Sequence, residues 1–230
     1  MKAGIYALLA ITAITVLGWR VAKPLSMSGA ATQAMPIDPD MATIPENAGV
    51  ATVGGGCFWC VEEVFHQTDG VLSAVSGYMG GSAEDADYSR VASGRTEHAE
   101  VVQVYFDPAV VSYSEVLDRF FESHDPTQLD RQGPDKGAQY RSVIFYHDEV
   151  QRLAAESKIR ELAESGKFRR DIVTEVVEAM EFYEAEDYHQ NFARENPGNG
   201  YLRAVLYPKL KKLGIPIPVK EKAESEEGAQ

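Results

Sequence analysis

Cys57 and Cys60 stand three residues apart in the run Gly54-Gly55-Gly56-Cys57-Phe58-Trp59-Cys60, and the chain has no other cysteine. A pair this close cannot staple distant parts of a fold, so local redox or metal chemistry is what remains to it. The run follows a strand-like segment and opens a helical pattern in which Phe58, Val61, Val64 and Phe65 share a face. Cys57 is therefore expected at a helix N-terminus, where free N–H groups and the helix dipole favour thiolate over thiol and lower the pKa. The alternative reading of Cys57 is a small buried hydrophobe. The glycines allow a tight turn close to a ligand, but neither GxGxxG nor GxxxxGK followed by Ser or Thr occurs, so a phosphate loop is excluded.

Five histidines (His66, His98, His124, His147 and His189) are scattered, and no pair has the spacing to complete a zinc site with the cysteines. Neither a metal nor an organic cofactor is expected. Glu100 falls in register with Val102, Val104 and Phe106 on an expected strand over 98–106, because strand side chains alternate at period two. A carboxyl desolvated on that face stays neutral and can donate a proton. A strand-end carboxylate reaching solvent is the other reading of the same residue. His98-Ala99-Glu100 imitates the HxE of zinc deaminases, but their cysteine pair lies downstream after a proline, and here it lies upstream without one. His189, set among Tyr183, Tyr188 and Phe192, reads as a hydrogen-bonded structural histidine rather than a base.

The elements that must position these groups alternate short β-like runs with amphipathic stretches, which is the pattern of an α/β or α+β sheet covered by helices. Strands are expected over 50–53, 72–78, 98–106, 141–146 and 172–178. Helices are expected to start at Cys57, at Ser112 with Glu115 as a capping box, and at Asp148 with Gln151 in the same relation. A shorter helix is expected over 187–194, with Gly166 stopping the third helix and Asn196-Pro197-Gly198 the fourth.

Residues 3–19 carry no charge, and Arg20 and Lys23 follow them. Such a run sits at the lower edge of a bilayer-spanning helix, roughly 17–25 residues, and just above a signal-peptide core of about 7–15. Residues 1–22 are thus read as a signal sequence or membrane anchor, 23–48 as a flexible tether, 49–218 as the catalytic domain and 219–230 as a charged, loose tail. Export follows, with the domain periplasmic or membrane-anchored outside the cytoplasm and touching membrane only through that first segment. With 35 acidic against 22 basic residues and a net charge of -13, nucleic-acid binding is excluded. A monomer is expected.

GCFWC resembles the signature of the A-type methionine sulfoxide reductases. The likeness continues through GYMGG at 77–81, DYSRVASGRTEHAEVVQVYFDP at 87–108, HDPTQLDRQGPDKGAQYRSVIFY at 124–146 and FYEAEDYHQNF at 182–192, in the family's order. It covers about residues 49–214. The resemblance implies a two-layer sandwich related to the ferredoxin-like arrangement, with a mixed sheet covered by helices. It also implies a peptide-methionine (S)-S-oxide reductase acting on oxidised methionine in proteins and on free methionine sulfoxide.

By motif position, the Cys57 thiolate attacks the sulfoxide sulfur and Glu100 is the general acid. Tyr88 and Tyr140 donate hydrogen bonds to the oxygen, and Asp135 orders the site. Phe58 and Trp59 form the apolar wall that receives the methyl group. Cys57 is left as a sulfenic acid, which condenses with a thiol to a disulfide that thioredoxin or a periplasmic thioredoxin-fold donor reduces.

Many family members carry Gly at the position of Cys60 and resolve the sulfenic acid with a cysteine in the C-terminal tail, which here has none. Cys60 is the internal candidate for that role, three residues along the helix on the same side as Cys57. The alternative is that Cys60 only packs and an external thiol attacks Cys57 directly. A thioredoxin-like dithiol/disulfide oxidoreductase is the competing enzyme class, since it too sets CxxC at a helix start. Its fold places strand and helix units before CxxC, whereas only a tether and one short strand precede it here. A membrane-tethered binding module with an incidental CxxC is the non-enzymatic alternative.

Overall fold

The computed structural model describes residues 44–219. Its elements are β1 (Gly49–Gly55), α1 (Phe58–His66), β2 (Val71–Met79), α2 (Tyr88–Ala92), β3 (Ala99–Phe106) and α3 (Tyr113–Ser123), then the ribbon β4 (Arg131–Gln132) and β5 (Asp135–Lys136). There follow β6 (Ser142–Tyr146), α4 (Glu149–Glu164), β7 (Glu175–Glu178), β8 (Tyr183–Glu184), α5 (Phe192–Glu195) and α6 (Tyr207–Leu213). The segment read as signal or anchor, most of the tether and nearly all of the charged tail lie outside the described residues. Among the described residues, no helix is long and apolar enough to cross a membrane.

One sheet runs β7-β6-β1-β3-β2-β8. Its inner four strands pair antiparallel, and β7 joins β6 in parallel. In chain order β1-α1-β2-β3-α3-β6 is a split βαβ repeat, the ferredoxin-like arrangement, widened by β7 and β8 at its edges. The mixed sheet expected from the sequence is therefore present.

Period two sorts the two faces. Ala51 and Val53 of β1, Val102, Val104 and Phe106 of β3 and Ile144 of β6 join the main core under the helices, with Phe58, Val61, Val64 and Phe65 of α1. Full burial of each Val, Ile or Phe among them contributes about 1.5–3 kcal/mol. Val101, Val143 and Phe145 point the other way into a smaller cluster covered by Ala179 and Phe182. Helices thus cover one face of the sheet, and a loop seals the other.

Local signals hold where chemistry is local. The Ser112 side chain accepts from the Glu115 backbone N–H, and Glu115 in turn accepts from the Ser112 N–H at 2.8 Å, which is the expected capping box. Asp148 caps α4 through the Gln151 N–H at 2.8 Å, but the Gln151 side chain reaches the His147 N–H and the Val50 carbonyl instead of closing a box. The helix expected over 187–194 is broken. A 3₁₀ turn (Asp187–His189) precedes Asn191, which at φ 53° takes the left-handed conformation that Asn tolerates, and α5 starts only after it.

Candidate active site

Gly54-Gly55-Gly56 lets the chain enter the site without obstructing it. A Cβ on Gly54 would lie 2.8 Å from the Glu100 carbonyl oxygen, and Gly56 turns at φ +102° against Gln132. Cys57 is then the N-cap of α1, with no side-chain cap bond. Cys57 is 8% exposed and Cys60 2%, both as free thiols, within hydrogen-bonding reach of each other.

Glu100 lies on the helix-covered face as the register demands, 2% exposed, so it is not a solvent-reaching strand end. Its Oε2 accepts the Phe58 backbone N–H at 3.1 Å. Burial pushes its pKa up to about 8, against the smaller lowering effect of that hydrogen bond. The carboxyl is neutral at pH 7, and with Oε2 accepting, Oε1 is left to carry the proton.

The expected lowering of the Cys57 pKa is not what this site produces at rest. Burial pushes the thiol well above its ordinary value, and the neighbouring Cys60 and then Glu100 add to the rise, while the nearby Tyr201 hydroxyl opposes it. Cys60 moves down, chiefly through its hydrogen bond with Cys57. The physical reason lies partly in donor use: the Phe58 N–H, a helix-terminal donor the thiolate could have taken, belongs to Glu100. Desolvation then outweighs the dipole.

Tyr88 starts α2, whose cap is Asp87 accepting the Ser89 and Arg90 N–H groups. Tyr140 ends a 3₁₀ turn (Ala138–Tyr140). That turn is held from both flanks of Tyr140: Gln139 Nε2 donates to the Ala92 carbonyl of α2 at 3.2 Å, and Arg141 donates to the Ala138 and Glu97 carbonyls at 3.0 and 3.1 Å. Both phenols are half-buried and raised in pKa by burial first and then by Glu100 and Cys57, which places them together around that pair. They stay protonated and able to donate.

Trp59 stacks on Phe192 at 3.8 Å and donates from Nε1 to His189 Nδ1 at 3.0 Å. Phe58, 1% exposed, is sealed against Tyr78 and His189, so the half-buried Trp59 presents the accessible part of the aromatic wall. Asp135 reaches the site from the β4–β5 ribbon. Each residue that the sequence reading nominated is thus gathered around Cys57 and Glu100.

Three further residues belong to the constellation and were not nominated. Tyr201 donates to Asp135 Oδ2 at 2.6 Å, and its hydroxyl lies close enough to both cysteines to lower their pKa, at the entrance to a π-helical turn (Leu202–Leu206). Glu186 accepts from the Tyr78 hydroxyl at 2.9 Å and from the Tyr88 N–H at 3.0 Å, tying β2 to the start of α2. His189, buried and lowered in pKa by that burial, is neutral, so its approach to Glu186 at 3.9 Å is no ion pair. It is the hydrogen-bonded structural histidine expected. His98 is likewise structural, accepting the Gly81 N–H and bonding the Ser82 carbonyl.

Residues 49–218 match the family model described as peptide methionine sulfoxide reductase. A peptide methionine sulfoxide reductase MsrA of Natronomonas pharaonis is 54% identical over 160 residues, covering 70% of this chain and 90% of the relative. Another, of Methanothermobacter thermautotrophicus, is 58% identical over 147 residues, covering 64% and 87%. Among solved structures, reduced Mxr1 from Saccharomyces cerevisiae superposes with a TM-score of 0.62 at 35% identity, covering 67% of this chain and 89% of that one. Methionine sulfoxide reductase A of Corynebacterium diphtheriae gives 0.59 at 36% identity, covering 66% and 77%.

Proposed function

Because the chain belongs to the peptide methionine sulfoxide reductase family as an MsrA, and so is a thiol-dependent oxidoreductase, we propose how its residues share the work and where it does it. The observation that carries the division of roles is a neutral buried Glu100 beside a desolvated Cys57.

The sulfoxide oxygen enters between Glu100, Tyr88 and Tyr140, with the methyl group against Trp59 and Phe58. Tyr88 and Tyr140 hold the oxygen by hydrogen bonds and Glu100 gives it a proton, which leaves the sulfur electron-poor. That positive centre beside Cys57 reverses the resting preference for thiol, the Cys57 proton replaces the one Glu100 gave up, and sulfur attacks sulfur. Net, sulfoxide and Cys57 thiol become thioether and Cys57 sulfenic acid. The Cys60 thiol then attacks the sulfenic sulfur, water leaves, and a Cys57–Cys60 disulfide forms. A thioredoxin-type dithiol returns two electrons and two protons by exchange. Asp135 and Tyr201 hold the mouth of the site.

The S epimer is the substrate form, on free methionine sulfoxide as on proteins. The uncharged run over 3–19 supports export, with the domain outside the cytoplasm and a reductant in that compartment. The experiment for the activity offers the S and R epimers of a blocked methionine sulfoxide separately, with a chemical dithiol and Cys57→Ser as control. Turnover of S alone, abolished in the variant, supports the reading. Disulfide reduction without sulfoxide turnover moves the protein to the dithiol oxidoreductases.

A further inference from the structure

The chain carries a net charge of -13, yet Lys167, Arg169, Arg170, Lys209 and Lys212 line one open groove of about 530 Å³, against the two carboxylates Glu122 and Asp125. Arg170 is 3.3 Å from Asp125 in an exposed ion pair, which neutralises little. Lys167, Arg169, Lys209 and Lys212 form no ion pair among the described residues. They come from two separate stretches, the loop after α4 and helix α6.

The groove adjoins the redox pair. Gln132 lines it, and a Cβ on Gly56, the residue before Cys57, would come within 2.7 Å of the Gln132 side chain. His124 lines it too, and would lie 3.1 Å from a Cβ on Gly55. Lys209 is close enough for its charge to lower the pKa of both Cys60 and Asp135. A substituent a few residues from a methionine seated at Cys57 is therefore within reach of these cations.

We propose that this groove binds the acidic flank of a polypeptide substrate, so that the enzyme selects oxidised methionines with Glu or Asp nearby. The inference rests on the reductase reading above. A concave groove of this size takes several side chains of an extended segment, whereas a folded reductant presents a convex surface. On an otherwise acidic molecule, a local basic groove also steers an acidic segment to the one face where catalysis occurs.

The test uses the full chain in mild detergent with a small chemical dithiol, which removes any reductant docking. Substrates are blocked methionine sulfoxide and two otherwise identical peptides with Glu or Lys flanking the oxidised methionine. The expected wild-type preference in kcat/KM for the Glu peptide is about tenfold at low salt, shrinking as ionic strength rises. Lys167→Gln/Arg169→Gln/Lys212→Gln is expected to remove most of that preference, roughly 3–10-fold, and to leave the blocked amino acid unchanged. Equal turnover of the two peptides by the wild type, or a preference that survives the triple substitution, overturns the groove while leaving the reductase reading intact. A defect that arises only when a protein reductant replaces the dithiol assigns the groove to that partner and also overturns it. Failure to reduce the blocked amino acid at all removes both readings.

Discussion

The Phe58 backbone N–H donates to Glu100 Oε2 at 3.1 Å, so the residue that follows the nucleophile also holds the acid. That contact fixes the position of the carboxyl, while burial, working against it, sets the protonation. Glu100, raised to about 8 by burial, is neutral below that value. Activity with a chemical dithiol is expected to fall as pH rises through about 8, because the proton to be donated is lost. Glu100→Gln keeps the shape and removes the proton, and a decrease in kcat of about 10²–10⁴ is expected. A Gln variant with wild-type turnover and the same alkaline decline would assign the proton to another group.

Cys60 is predicted to distinguish the two reductants. Without reductant, wild-type protein treated with methionine sulfoxide should yield a Cys57–Cys60 disulfide by mass spectrometry, and Cys60→Ser should instead yield a sulfenic acid trapped by dimedone. Thioredoxin-driven turnover should collapse in that variant while dithiol-driven turnover persists. Intact thioredoxin turnover in Cys60→Ser means that the external thiol attacks Cys57 directly.

Tyr201→Phe removes the hydroxyl that donates to Asp135 and lowers the pKa of both cysteines. Since the Tyr201 hydroxyl lowers both thiols, the pH profile of iodoacetamide alkylation should move to higher pH in the variant. An unmoved profile would leave Tyr201 as packing only.

Glu62 is 1% exposed, and neither carboxylate oxygen completes a hydrogen bond. Asn191 and Ser76 lie near enough to lower its pKa slightly, as does Arg194, while Glu63 raises it, yet burial dominates and lifts it to about 8. Native protein keeps this proton between the unfolded value near 4.5 and about 8, while the unfolded chain has lost it. The stability contribution is therefore present at low pH and fades as pH rises across that window, by on the order of a few kcal/mol. Glu62→Gln should raise the melting temperature at pH 8 more than at pH 5. A gain independent of pH would disconnect Glu62 from the effect.

Gly56→Ala combines φ +102° with a contact 2.7 Å from Gln132. A loss of about 1–3 kcal/mol in unfolding free energy is expected, with reduced kcat from a displaced Cys57. Wild-type stability by denaturant titration would show that the turn relaxes freely.

What was legible in the sequence was what repeats locally. The period-two register put Glu100 with Val102, Val104 and Phe106, and Ser112 with Glu115 announced the start of α3. The Gly54-to-Cys60 run located the redox pair and the N-cap. Tyr201 and Glu186 were not legible, because their roles depend on partners 66 and 108 residues away. An aromatic between Gly200 and Leu202 reads locally as packing. Asn191 did carry a signal, as a residue that tolerates the left-handed region inside an otherwise helical pattern. The direction of the Cys57 pKa was misread because helix position is visible in sequence and desolvation is not.

A protein that repairs oxidation works among oxidants, and its own nucleophile is at risk. Thiolates react with peroxide far faster than thiols do, and exposure compounds the hazard. Cys57 at rest is shielded and protonated, so it is poorly reactive until a sulfoxide arrives to draw it out. The burial that blunts the resting nucleophile thereby acts as its safety catch: reactivity is switched on by the damage itself, and the repair site is spared from becoming another casualty of the stress it answers.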